Sequence, residues 1–180
     1  VDPFVGAGTT LLVARDQGYN ALGLDLSPLA VLVSNVKVAS HDPLAIRVAL
    51  STVLDAAQSS RERPGKPSPR LARALTNAEY IVFWRLWQAI LQVDEPVRGL
   101  MLVGLMGILP QFSRAVADGG WFRWVEKPEQ ADAILPAFRT RMQQMLREIE
   151  LTHPAEVDHR LYVQTIAICH DARRIHLLPY

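Results

Sequence analysis

Apolar and polar positions along the chain change period twice. A lone apolar residue, Val1, leads into the polar, glycine-bearing turn 2–8. Residues 10–17 then repeat apolar positions at helical spacing until Gly18 closes the run. "ALGLDL", residues 21–26, is a compact apolar stretch ending in an acid, the pattern of a buried parallel strand. Ser27 before Pro28 places an N-cap ahead of a proline at the first helical position. The helix it predicts, 28–39, carries Leu29, Leu32, Val33 and Val36 on one face.

The period then turns helical. A helix is expected over 43–58, and after it comes "SSRERPGKPSPR", residues 59–70, with three prolines, one glycine and a net charge of +3. That composition suits a linker or mobile loop. Helices are predicted near 77–93, 96–109, 111–117 and 132–151, with Pro136 kinking or starting the last. Between them "DGGWFRWVEKP", residues 118–128, turns at two glycines and predicts a short hairpin or an extended loop. In 160–173 a β-branched, aromatic-bearing run ends in Asp171. No internal repeat is visible. An α/β fold is therefore expected, an incomplete parallel sheet carrying a large, mostly helical insertion. The expected division is 1–57 for the first strands and helices, 58–75 for the basic proline-rich linker, 76–155 for the helical insertion and 156–180 for the return to the sheet.

Bulk composition adds limits. The chain has 180 residues, 49% of them hydrophobic, enough to bury a core. Nineteen basic residues face 18 acidic ones, so any nucleic-acid footprint has to be local. A single cysteine, Cys169, excludes an internal disulfide and fits a reducing, cytoplasmic setting; in its apolar strand it is expected to pack rather than react. The apolar stretch 99–109 is too short to span a bilayer and carries three glycines, so it is expected to be a buried helix. No signal peptide is visible and the first residue is not methionine, as in an internal piece of a longer chain. His41, His153, His159, His170 and His176 show no metal-ligand spacing, and no metal site is expected.

The turn at the start points to chemistry. Gly6 and Gly8 let the backbone bend sharply and let a ligand approach where a Cβ would intrude. Asp25, seventeen residues after Gly8, ends the next strand, where a carboxylate can accept both hydroxyls of a ribose. Dinucleotides and S-adenosylmethionine share that arrangement. A dinucleotide turn needs a third glycine, but Leu11 stands there, and Asp2 would lie close to a pyrophosphate. A carboxylate at Asp2 instead suits an ammonium group. The residues favour S-adenosylmethionine; NAD, or a glycine turn with no ligand, stay open.

"DPFVGAGTT" together with "NALGLDLSPLAVLVSNVKV" resembles the amino-group DNA methyltransferases, which carry a D-P-F-x-G-x-G-T turn and a G-x-D-x-[SN]-P element. The likeness runs from Asp2 to Val38. "HDAR", residues 170–173, is similar to the acid-bearing turn after the family's third strand, and "NAEYIVFW" and "FSRAVADGGWFRW" resemble segments that some members insert before it. The resemblance implies a Rossmann-like S-adenosylmethionine methyltransferase sheet. It implies that Asp2, Phe4, Gly6 and Gly8 hold the methionine end of the cofactor. Thr9 and Thr10 would cap the following helix and bond the cofactor carboxylate, and Asp25 would bind the ribose. Leu26 and Pro28 would lie against the adenine, Asp171 would accept from its amino group, and Ala172 would offer its backbone N–H.

The family's catalytic element, [DNS]-P-P-[YFW], is missing. "LLPY", residues 177–180, has leucine in place of the polar residue and one proline, so the catalytic motif is expected beyond Tyr180. What the resemblance implies is a fragment of a restriction–modification type enzyme. The full-length parent would methylate the exocyclic amino group of adenine or cytosine in double-stranded DNA, with the target base flipped out. The 180-residue piece is expected to bind cofactor weakly or not at all and to be inactive. A non-catalytic nucleic-acid- or partner-binding module, an RNA methyltransferase and, more distantly, an NAD enzyme are the alternatives. Arg114, Trp121, Arg123 and Trp124, with Phe112, Phe122 and Lys127 nearby, interleave aromatics with cations and are candidate nucleic-acid contacts, or else core tryptophans edged by arginines. Arg61, Arg63, Lys66 and Arg70 are a candidate phosphate track or a solvated linker.

Overall fold

The computed structural model describes residues 1–152 and 164–173. It is α/β, with two compact units: one holds 1–40 and the described residues beyond 152, the other His41–Thr152.

The first unit is built on β1 (Ala21–Asp25), flanked by a parallel bridge at Asp2 on one side and by β4 (Thr165–Cys169) on the other. Ala21 pairs with Thr165 and Asp25 with Cys169, so both strands end together. Helix α1 (Thr9–Asp16) starts behind Gly8 and stops at Gly18, whose φ of 77° turns the chain while its N–H and that of Tyr19 close onto the last carbonyls. Val5, Leu11 and Ala167 form the core, with Ala21, Val31 and Val38 packed against it. The small strand arrangement is compatible with a partial Rossmann-like sheet.

Helix α2 (Pro28–Val38) begins as its sequence predicts, with Ser27 Oγ accepting from Ala30 N–H. Its inward face differs from the expected one. Leu29 is exposed, and the fully buried residue is Ser34. Two polar partnerships turn the helix that way. The Ser34 hydroxyl donates to Gly6 O at 3.0 Å, and the Asn35 amide both donates to and accepts from the backbone of Ala167 at 2.9 and 2.7 Å. Asn35 thereby occupies outward-facing backbone groups of β4.

The second unit consists of α3 (Pro43–Ser59), α4 (Pro69–Ala74), α5 (Asn77–Leu91), α6 (Val97–Phe112) and α7 (Ile134–Thr152), with a hairpin of β2 (Ala115–Asp118) and β3 (Trp121–Trp124). The sequence division groups α3 with the sheet; in the structure it belongs here. Its stripe of Ile46, Leu50, Val53, Leu54 and Ala57 is buried within a unit where α3 packs on α5 and α7. Part of the expected linker is helical, because Ser68 caps α4 and Pro69 opens it. Helix α6 runs through Pro110 to Phe112, and Lys127 Nζ donates to the carbonyls of Pro110 and Gln111 at 3.1 Å each. Gly104 brings α6 close to α7: a Cβ there would stand 2.5 Å from Met142 Sδ.

The helix expected over 111–117 does not form. After Phe112 the chain extends, Arg114 N–H donates to Ala74 O at 2.8 Å, and Ala115–Asp118 pairs antiparallel with Trp121–Trp124. Gly119 and Gly120, at φ 56° and 98°, make the two-residue turn that this pairing needs. Among the described residues no helix is long and apolar enough to cross a membrane.

Candidate functional site

The turn and the two strand ends converge in the first unit. Asp2 is half-buried, its backbone bonded to Leu22 O and Leu24 N at 2.8 Å each, and its Oδ1 accepts from Phe4 N–H at 3.0 Å. Val5 N–H then meets Leu24 O at 2.9 Å, which fixes the turn on the end of β1. Asp25 ties the pieces together: Oδ1 accepts from Ser27 N–H at 2.8 Å, Oδ2 from Gly6 N–H at 3.0 Å, and its carbonyl from His170 N–H at 3.0 Å.

Those bonds have an electrostatic consequence. The N–H groups of Ser27 and Gly6 hold the Asp25 carboxyl below its usual value, against a smaller opposing effect of desolvation. Asp25 is thus an anion at neutral pH. A carboxylate has about four acceptor positions, so Asp25 keeps acceptor capacity for a hydroxyl beyond its backbone bonds.

The two glycines have different reasons. At Gly8, φ 79°, a Cβ would lie 2.8 Å from the Ser34 backbone, so this glycine is required by the close approach of α2. At Gly6, φ 52°, a Cβ would meet only Phe4 O, in ordinary contact at 3.9 Å, so no close approach requires this glycine and its left-handed backbone does. The third-glycine position is also explained. Leu11 is fully buried, and the room is supplied by Gly23 on the strand, where a Cβ would meet Val5 at 2.6 Å and Leu11 at 3.2 Å. The helix–strand contact that a dinucleotide turn makes with a glycine on the helix is made here with a glycine on the strand.

Phe4 and Leu26 are exposed apolar side chains flanking this turn, at 81% and 68%, and Pro28 is exposed beside them at the start of α2. Thr9 and Thr10 do not cap α1. Its N-cap is Gly8, without a side-chain bond, so among the described residues no cap covers the helix's leading N–H groups. Asp171 and Ala172 follow β4, next in sequence to His170 and its bond to Asp25. Asp171 is engaged by Arg173, whose Nε and Nη2 reach both carboxylate oxygens at 2.6–3.1 Å. Cys169 is exposed, with Sγ 3.7 Å from Leu26 O, and does not pack into the core as expected.

The candidate nucleic-acid residues lie in the second unit and separate into two groups. Arg114 is internal: Nη1 donates to Glu79 Oε2 at 2.8 Å and Nη2 to Lys127 O at 3.0 Å. Glu79 is 1% exposed, closes a capping box with Thr76 and accepts from Gln130 N–H at 3.0 Å. Burial pushes the Glu79 carboxyl up, but the bonds from Arg114, Thr76 and Gln130 and the Arg114 charge together carry it below its ordinary value. Trp121, Arg123 and Trp124 are on the hairpin and exposed. Sequence reasoning missed Ser34, Asn35 and Glu79, polar residues facing inward. "LLPY", His153, His159 and His176 lie outside the described residues.

Over 42 residues the chain is 43% identical to the Type II methyltransferase M.MjaII of Methanocaldococcus jannaschii. The likeness is to a methyltransferase. It covers 23% of this chain and 8% of that protein, and it supports a methyltransferase family for this chain. No family model matches the chain, and no solved structure does.

Proposed function

We propose that the first unit binds S-adenosylmethionine, and that the chain is the cofactor-binding part of a DNA methyltransferase of restriction–modification type acting on an exocyclic amino group of adenine or cytosine. One observation carries this reading: the Gly6 turn, uncrowded where a Cβ would stand, is bonded to the ionised carboxylate of Asp25 at the end of β1.

The residues present fit the cofactor. Asp25 has acceptor capacity left for a ribose hydroxyl. Asp2 offers a carboxylate to an ammonium group, and the uncapped N-terminus of α1 offers N–H groups to a carboxylate. Leu26 and Phe4 give exposed apolar surface for a purine and for the methionine chain. Asp171, whose carboxylate accepts from the exposed Arg173, is a further acceptor for an amino group. When bound, S-adenosylmethionine supplies a methyl group on a sulfonium. The contribution of these residues is to orient that group and screen its charge, not to form a covalent intermediate.

A thermal-shift comparison tests the ligand class. S-adenosylhomocysteine at millimolar concentration is expected to raise the melting temperature, NAD to leave it unchanged, and Asp25→Ala to abolish the shift. A shift with NAD alone, or one that survives Asp25→Ala, refutes the assignment.

A further inference from the structure

The β2–β3 hairpin displays what a folded chain ordinarily hides. Trp121 is 83% exposed and Phe122 71%, next to each other at the tip. Adjacent strand residues point to opposite faces, so each face of the tip carries one ring. The residue across from Phe122 is too small to cover its ring. Phe122 pairs with Ala117 and Trp124 with Ala115, while Trp121 pairs with Asp118. The Phe122 ring therefore stands open on its face, and a patch of this kind marks a binding surface.

A cation also stacks at the hairpin's base. The Arg73 guanidinium carbon sits 4.0 Å from the centroid of Trp124, so α4 lies against the hairpin's base. Arg70, three residues earlier on the same helix, shares the side of Arg73, and Arg61, Arg63 and Lys66 continue the run, all exposed. Among the described residues no carboxylate pairs with any of these five. Arg123 is paired with Asp118 at 3.4 Å, but both are solvent-exposed, so that pairing is readily exchanged for another anion.

We propose that the hairpin and the basic stretch 61–73 form a stacking platform for unpaired nucleotides of a nucleic-acid strand. Bases stack on Phe122 and Trp121, and Arg70, Arg73 and Arg123 neutralise the phosphates on either side. Charge selects this occupant over a protein: open rings, Arg73 stacked at the hairpin's base and a basic stretch running into its helix, without a carboxylate partner among the described residues, match a polyanion that carries π-faces. Paired bases present no open face to the rings, so the platform prefers a strand to a duplex. Arg114, held on the buried Glu79, is not part of it. The inference rests on the second unit alone, independently of the cofactor reading.

The test is fluorescence anisotropy of a labelled mixed-sequence DNA strand titrated with the whole chain, beside its duplex form and the corresponding RNA strand. The DNA strand is expected to bind more tightly than the duplex. Trp121→Ala and Phe122→Ala should each weaken strand binding by about tenfold, with Phe122→Tyr retaining it and circular dichroism unchanged. Arg70→Ala should lower the slope of log affinity against log salt by about 0.7. Equal binding of the RNA strand supports the same chemistry. Strand binding untouched by both alanine variants, duplex binding as tight as strand binding, or self-association that disappears with Trp121 would overturn the platform. A chain that binds the strand but no S-adenosylhomocysteine contradicts only the cofactor reading.

Discussion

Replacing Arg114 with alanine is expected to destabilise the His41–Thr152 unit by about 3–5 kcal/mol, the range for removing one partner of a buried ion pair. All four tryptophans of the chain lie in that unit, so the urea midpoint followed by tryptophan fluorescence reports it directly. The size of the effect comes from what is stranded. Glu79 is 1% exposed and gives Oε2 to Arg114, and without the guanidinium its charge has only backbone N–H partners. The same pair sets a pH dependence. Glu79 is held below its ordinary value of 4.5, so near that pH the unfolded chain binds more protons than the native one. The stability it confers is complete above about 4.5 and is lost as pH falls through the lower native value. Glu79→Gln should therefore flatten the acid limb of the stability curve. An Arg114→Ala midpoint within about 1 kcal/mol of the parent would contradict the keystone role of this pair.

The second large effect separates the two glycines of the turn. Gly8→Ala forces a side chain into the left-handed region and 2.8 Å from the Ser34 backbone, and should cost about 2–4 kcal/mol. Gly6→Ala carries only the conformational cost, about 1 kcal/mol, because a Cβ there meets Phe4 O at an ordinary 3.9 Å. In binding the order reverses. The methyl group that Gly6→Ala adds enters the proposed cradle and should weaken S-adenosylhomocysteine binding by roughly tenfold or more in a fold that remains intact. Equal stability losses at the two positions would mean that Gly6, too, answers to packing.

The legible parts of the chain were those with local causes. Gly18 stopping α1, Ser27 and Pro28 starting α2 and Asp25 ending β1 are each written within a few residues. Ser68–Pro69 repeats the Ser27–Pro28 signal, yet the prolines and charges around it read as linker. Residues 115–117, two alanines around a valine, have no local reason to leave a helix. They do so because Arg114 is drawn to Glu79, 35 residues away, and because Gly119–Gly120 folds Trp121–Trp124 back on them. Ser34 and Asn35 face inward through partners at Gly6 and Ala167, which no helical periodicity encodes. The aromatic–arginine interleaving around residue 121 was visible, but only the fold separates the internal Arg114 from the exposed hairpin and adds Arg73 to it.

The most direct test of the cofactor claim is a titration of the isotopically labelled chain with S-adenosylhomocysteine, followed amide by amide in proton–nitrogen NMR spectra, which report weak binding as well as tight. The account predicts saturable shifts confined to Gly6, Gly8, Asp25, Leu26 and Ala172, absent in Asp25→Ala. Saturable shifts elsewhere, or none at these amides at millimolar ligand, would contradict it.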